Sequence, residues 1–305
     1  MSAPATGSQI AAVAVGHDTP LHLLWRRFLR HRLAIISLAV LVVLGLLAML
    51  APVFNLLLGF DVTAVDLLAR LAPPSLTHPL GTDELGRDLL TRVLFGARVS
   101  LSVGFISGAV SVAIGVLLGG TAGYAGRWVD DLLMRFTDAM LSIPRLPLLM
   151  IAAVVLNPGV PFLVLLVGAA GWMETARVVR AEVLSLKARD FVSAARAVGA
   201  SPFRVALRHV IPAALPVAGV ATTLAVARGI LLESALSFFG VGVQPPTASW
   251  GNMLYQGQTT MSSEPWLAIF PGAFIFVTVL CLNVVGDALL ASRNVTGAES
   301  GFKPG

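Results

Sequence analysis

Six long apolar runs constrain this chain more than any other feature. The first, Leu33 to Val53, holds 21 residues without a charge. A helix needs about 20 predominantly apolar residues to cross a bilayer core. Five more runs follow, at roughly Ala97–Ala122, Leu132–Leu156, Val160–Val179, Ile211–Leu232 and Trp266–Leu290. Of the 305 residues, 12% are charged and the mean hydropathy is +0.86. Soluble domains carry about 25% charged residues. The pattern predicts an all-α membrane protein with six transmembrane helices. Arg26, Arg27, Arg30 and Arg32 precede the first run as in a signal peptide, but the apolar core is too long for one and no clear cleavage site follows.

Basic residues set the orientation. Segments assigned to the cytoplasm hold 15 Lys or Arg and external ones hold four, Arg70, Arg87, Arg92 and Arg98. That bias follows the positive-inside rule and places both termini inside. The bracketing of spans by basic residues also explains the high isoelectric point without a nucleic-acid partner. Five of the cytoplasmic cations, Lys187, Arg189, Arg196, Arg204 and Arg208, fall within 22 residues between the fourth and fifth runs. There Phe191, Ala195 and Val198 share one helical face. Gly199 stands where a helix ends in a left-handed residue, and Ser201-Pro202 reads as N-cap and first residue of a second helix. The stretch is too short and too charged to span a membrane. It is either an ordinary cytoplasmic loop or an elbow that offers an apolar face to a soluble partner.

Ser193-Ala194-Ala195, Gly199 four residues on, and Ile211-Pro212, with Pro212 thirteen after Gly199, resemble the EAA loop of ATP-binding-cassette importer permeases. The chain departs from that pattern at Ser193, where many members have Glu, and at His209, where Ile is usual. Residues 78–88 (HPLGTDELGRD), 233–240 (ESALSFFG), Gln244-Pro245-Pro246 and Trp250-Gly251 are similar to the second permease subunit of dipeptide, oligopeptide and nickel importers. Together the matches cover roughly residues 25 to 290. The resemblance implies a type I importer permease fold with a cytoplasmic coupling helix. It implies that the 187–212 loop docks on an ATPase through Arg189, Asp190, Phe191, Ser193, Ala194, Ala195, Arg196, Gly199, Pro202 and Pro212. The implied partners are a homologous second permease, two ATPase subunits that bind ATP and Mg in place of this chain, an extracytoplasmic solute-binding protein, and membrane lipid. The setting implied is the cell membrane of a prokaryote.

Residues 81–88 (GTDELGRD) approach a Walker A loop and fail it. Arg87 replaces the Lys, and Asp88, which would repel phosphate, replaces the Ser or Thr. In the second run Gly96, Ser100, Gly104, Gly108, Ser111, Gly115, Gly119 and Gly123 keep to one face. Small residues let helices approach closely in lipid, either within the subunit or against the second permease. Cys281 is the one cysteine, which excludes a disulfide framework. His17, His22, His31, His78 and His209 are scattered over different segments, so no catalytic or metal-binding constellation is visible.

Charges inside spans are costly, at least ~2.5 kcal/mol at mid-bilayer, and usually face a bundle interior or aqueous cavity. Asp138, Arg145, Arg228 and Glu233 are the candidates for the translocation pathway, with Arg145 and Arg228 deepest. Arg228 and Glu233 point apart on one helix and are not natural partners. Glu174 reads as a group that snorkels to the cytoplasmic headgroups. Prolines 144 and 147 permit a kink in the third span. The expected organisation is a disordered cytoplasmic segment 1–24, a first helix region 25–53, an external segment 54–95, a five-helix core 96–290 and a cytoplasmic tail 291–305. The function read from this is a non-catalytic permease subunit of an ATP-driven importer of short peptides. Nickel or another small solute is the alternative cargo, and an ion-coupled secondary transporter the alternative class. The latter typically shows an internal repeat with broken helices, and no repeat is seen.

Overall fold

The structure, a computed structural model, describes residues 28–58, 62–156 and 159–298, the last six by their backbone. The expected disorder of the N-terminus, Arg26, Arg27, His17, His22, Asp61, the 157–158 turn and the tail from residue 299 lie outside the described residues. Helices run in the order α1 (Arg32–Leu58), α2 (Leu89–Ala125), α3 (Arg127–Ser142), α4 (Arg145–Leu156), α5 (Val160–Ala169), α6 (Trp172–Lys187), α7 (Asp190–Ala197), α8 (Pro202–Val205), α9 (Ile211–Phe238), α10 (Trp250–Gly257) and α11 (Trp266–Ala298). Four segments are long and apolar enough to cross a membrane, or six if each of two bent helix pairs counts as one span.

Helix α2 is the spine of the bundle. Its small-residue face packs inside the subunit, which decides between the two readings of that stripe. A Cβ at Gly104 would fall 2.4 Å from Ile230 and one at Gly108 2.8 Å from Val226, both on α9. Lower down, a Cβ at Gly115 would fall 2.6 Å from Thr175 and one at Gly119 2.2 Å from the Ala176 carbonyl, both on α6. One face thus serves two neighbours in turn. Helix α1 packs on α11, with Ala34 and the preceding Phe28 against Val285 and Ala288, and joins the α2–α9 core through Ala48, which clusters with Ala97, Leu101 and Ile230. Much of the rest of α1, including Val42, Leu46 and Leu56, is exposed, as a lipid-facing surface requires.

Several boundaries differ from the sequence expectation. The second helix begins at Leu89, well before Ala97, because Asp88 caps it by accepting the Thr91 N–H at 2.8 Å. The third expected span, 132–156, is not one kinked helix. Helices α3 and α4 meet at 81°. Pro144 lacks the N–H to continue α3 and holds Ile143 extended, at φ −83° and ψ 124°. The fourth span bends by 42° between α5 and α6 and continues to Lys187, so Arg177 and Arg180 lie on a helix. The fifth starts earlier, through a π turn at Ala206–Val210. Pro212 cannot donate to the carbonyl four residues back, and the Ile211 N–H reaches Ala206 instead.

Residues 81–88 form a charged knot that closes the connection between α1 and α2. Asp83 accepts from Arg87 Nε at 2.7 Å and lies 3.3 Å from Arg92 Nε, while His78 Nδ1 meets Asp88 at 3.0 Å. Gly86, at φ +72°, lies against the Asp66 carbonyl where a Cβ would collide at 1.7 Å. The resemblance to a phosphate loop thus reflects a tight turn that seats the start of α2.

Candidate functional site

The elbow between α6 and α9 is closed by local chemistry. Gly199 adopts φ +87°. Its N–H bonds to the Arg196 carbonyl at 2.9 Å, and the Ala200 N–H bonds to Ala195 at 3.1 Å. This is the Schellman arrangement that satisfies the last carbonyls of a helix. Arg189, extended at φ −82° and ψ 153°, precedes α7, and Asp190 opens it, where a carboxylate favours the helix N-terminus. Ser201 caps α8, accepting the Arg204 N–H at 3.4 Å, and Pro202 is its first residue.

Val192, Val205 and Val210 anchor the elbow to Val179, Val183 and Leu186 of α6 and Ala214 of α9. Ala195 packs beside them, so the expected face of Phe191, Ala195 and Val198 divides at Ala195. Phe191 is exposed, as are Val198 at 89%, Phe203 at 73% and Leu207. Ser193, Ala194 and Arg196 are exposed alongside. Two contacts strap the elbow to the end of α2. The Tyr124 hydroxyl donates to the Pro202 carbonyl, and Lys187 Nζ donates to the Tyr124 carbonyl at 2.7 Å. The sequence alone did not mark Tyr124.

The four expected pathway charges do not gather in one place. Arg145 and Arg228 come together on Glu174. Arg145 Nη2 lies 2.8 Å from Oε1, and Arg228 Nη1 pairs with Oε2. Glu174 therefore faces into the bundle rather than snorkelling to headgroups, because two guanidiniums compete for it there. Arg145 and Arg228 line a small cleft with Ser107, Ser111, Val167 and Gly171. Asp138 is apart from them, exposed and paired with Arg177. Asp130 pairs with Arg180, fixing α3 across α6.

Glu233 does not line the cleft. It is 0% exposed and accepts from Ser237 Oγ at 2.8 Å and Ser100 Oγ at 2.9 Å. Those hydroxyls accept in turn from the N–H groups of Val243 at 3.0 Å and Trp250 at 3.2 Å. Trp250 is buried, with Nε1 donating to the Val93 carbonyl at 3.1 Å. Glu233 thus joins α9 to α2 and to the connection between α9 and α10. Among the described residues no group of three or more His, Cys, Asp or Glu is placed to hold a metal ion.

Comparison with known proteins bears on both regions. Residues 115–292, which include the elbow and both arginines of the cleft, match the family described as binding-protein-dependent transport system inner membrane component. Residues 19–74 match the N-terminal TM domain of oligopeptide transport permease C. The oligopeptide transport system permease protein OppC of Bacillus subtilis is 36% identical over 270 residues, covering 87% of this chain and 88% of the relative. The dipeptide transport system permease protein DppC of the same organism is 38% identical over 266 residues, 87% of this chain and 82% of the relative. A putative peptide permease protein of Brucella suis is 39% identical over 265 residues, covering 86% and 87%. In fold, the chain is similar to the inward-facing MetNI methionine ABC transporter, with a TM-score of 0.56 at 19% identity over 67% of this chain and 98% of the other.

Proposed function

The chain belongs to the binding-protein-dependent transport system inner membrane components, and from that premise we propose that it is one of two permease subunits in an ATP-driven importer of short peptides. It is a multi-pass membrane protein and not itself an enzyme. The names of its oligopeptide and dipeptide permease relatives favour peptide over nickel or another small solute as cargo. The proposed assembly adds a homologous second permease, two ATPase subunits that hold ATP and Mg, and an external solute-binding protein. Both termini and the elbow lie on the cytoplasmic side, as the basic residues favour.

The observation that carries this reading is the elbow. It is stiff, tied at its back to α2 and α6, and presents Phe191, Val198, Phe203 and Leu207 outward. Exposed apolar residues so grouped on a charged surface mark a protein-docking site. When the ATPases close, the elbow moves as a lever. The motion passes along α6 to the bend at Gly171 and to the break at Pro144, beside Arg145 and Arg228. These two arginines face the translocation pathway and meet the cargo there.

Val198→Cys tests the elbow, since the native thiol of Cys281 is buried. In membrane vesicles of the assembled transporter, an impermeant maleimide is expected to modify this position only from the cytoplasmic side. Stripping the ATPase subunits is expected to increase the modification. Labelling from the external side overturns the reading.

A further inference from the structure

We propose that Glu174 is a latch, an internal carboxylate that occupies the seat between Arg145 and Arg228 and yields it to the carboxylate of the cargo. The inference rests on the pathway reading above. Geometry is the first argument. Glu174 gives one oxygen to each arginine, Oε1 to Arg145 at 2.8 Å and Oε2 to Arg228. Guanidinium groups converging on a carboxylate form a recognition site for that shape and charge. A peptide's terminal carboxylate has the same shape and the same charge.

Charge is the second argument. Two guanidiniums face one carboxylate. Asp138 is engaged by Arg177, and Glu233 is held by serine hydroxyls. The seat keeps one uncompensated positive charge inside a membrane bundle, where such charge is costly and attracts an anion. It is also accessible, with side-chain exposure of 38% at Glu174 and 36% at Arg228.

Placement is the third. Arg145 is the first residue of α4, directly after the 81° break, and Glu174 is in the first turn of α6, directly after the 42° bend. Arg228 belongs to the long α9, which has no such break near it. A change at either bend therefore moves Glu174 relative to the arginines. Lever motion from the elbow opens the latch, and cargo arriving with its own carboxylate restores the charge balance.

The test uses the complete importer in proteoliposomes with its binding protein. Uptake of trialanine is compared with uptake of trialanine amide. The binding protein is the same in every arm, so its own preference cancels when variants are compared with wild type. Glu174→Gln removes the internal competitor. It is expected to lower the KM for the free acid by roughly fivefold to tenfold, the low end of a typical coupling between two ligands, while leaving the amide within about twofold. Glu174→Asp keeps the charge but shortens its reach by one methylene, and an intermediate shift is expected. An acid-to-amide KM ratio unchanged in both variants overturns the latch alone. So does failure of both to assemble, which assigns Glu174 a purely structural role. Absence of ATP-driven uptake by the wild-type assembly overturns the importer reading, and the latch with it.

Discussion

Ser100 Oγ donates to Glu233 Oε2 at 2.9 Å and at the same time accepts the Trp250 N–H at 3.2 Å. One hydroxyl therefore joins α2, α9 and the N-terminus of α10 in a site that is fully buried. Removing a partner from a buried hydrogen bond costs about 1–3 kcal/mol, because the group left behind has lost both protein and water. Ser100→Ala is expected to destabilise the protein in detergent by that amount. Glu233→Ala is expected to cost more, since Ser100 and Ser237 both lose their acceptor. Ser102→Ala, two residues along on an exposed face and bonded only to the Val99 carbonyl of its own turn, should leave the midpoint of thermal unfolding nearly unchanged. Equal midpoints for the two serine variants would count against the network.

Gly199 offers a cleaner separation of backbone from packing. Nothing in this chain lies within 4 Å of the Cβ it lacks, so any strain within the subunit on substitution comes from its φ of +87°. A left-handed conformation costs an ordinary L-residue about 1–2 kcal/mol, and Asn bears it better than most. Gly199→Leu is expected to reduce peptide uptake and binding-protein-stimulated ATP hydrolysis with membrane insertion intact, and Gly199→Asn to retain most of both. Normal coupling in the Leu variant would remove the elbow from the mechanism.

What the sequence showed depended on the range of the interaction. The left-handed turn at Gly199 and the Ser201-Pro202 start of α8 are governed by residues a few positions apart, and they were legible. Pro144 announced a discontinuity, yet the 81° angle depends on α3 crossing α6 through Asp130–Arg180 and Asp138–Arg177. Those pairs are 50 and 39 residues apart in sequence. Helix ends were blurred because apolar composition marks the lipid-buried part of a helix and not its full length. The true start of α2 is set by the Asp88 cap, outside the apolar run. Glu174 departs from its sequence reading for a similar reason. Its position near a span end fits a snorkelling group, and only the approach of α4 and α9 supplies its arginines. The signal the sequence does carry is the charge balance, since two arginines deep in spans call for a nearby acid.

The packing face of α2 gives a matched pair of glycine substitutions. Gly119→Val forces side-chain atoms into the Ala176 backbone, which already lies 2.2 Å from a built Cβ. Backbone cannot step aside as a flexible side chain can, so α2 and α6 must separate. Overpacking of a tight interior typically costs about 1–3 kcal/mol, and here it also strains the strap at Tyr124. The expected result is low yield of assembled transporter and rapid proteolysis. Gly45→Ala, on α1 with nothing within 4 Å, should instead be neutral or stabilise the helix by up to about 1 kcal/mol. Quantifying folded protein by gel filtration in detergent distinguishes the two.

Arg145 and Arg228 share one carboxylate, and this fixes how their substitutions combine. Arg145→Gln leaves Glu174 paired with Arg228, and Arg228→Gln leaves it paired with Arg145. Each single variant is neutral overall at this seat and keeps Glu174 satisfied. Assembly should therefore survive, while the excess positive charge that attracts an anion is lost. Peptide uptake is expected to fall roughly tenfold in each, the size associated with one charge-assisted contact. The double variant leaves Glu174 as an uncompensated charge among helices, and breaking a pair in this way costs about 3–5 kcal/mol when it is buried. At partial exposure the cost is smaller but still greater than for either single change. The double variant should thus lose stability as well as uptake, and adding Glu174→Gln should restore the stability without restoring transport. Thermal unfolding and uptake measured on the same four preparations decide the matter, and single variants that transport at the wild-type rate would take both arginines out of the pathway.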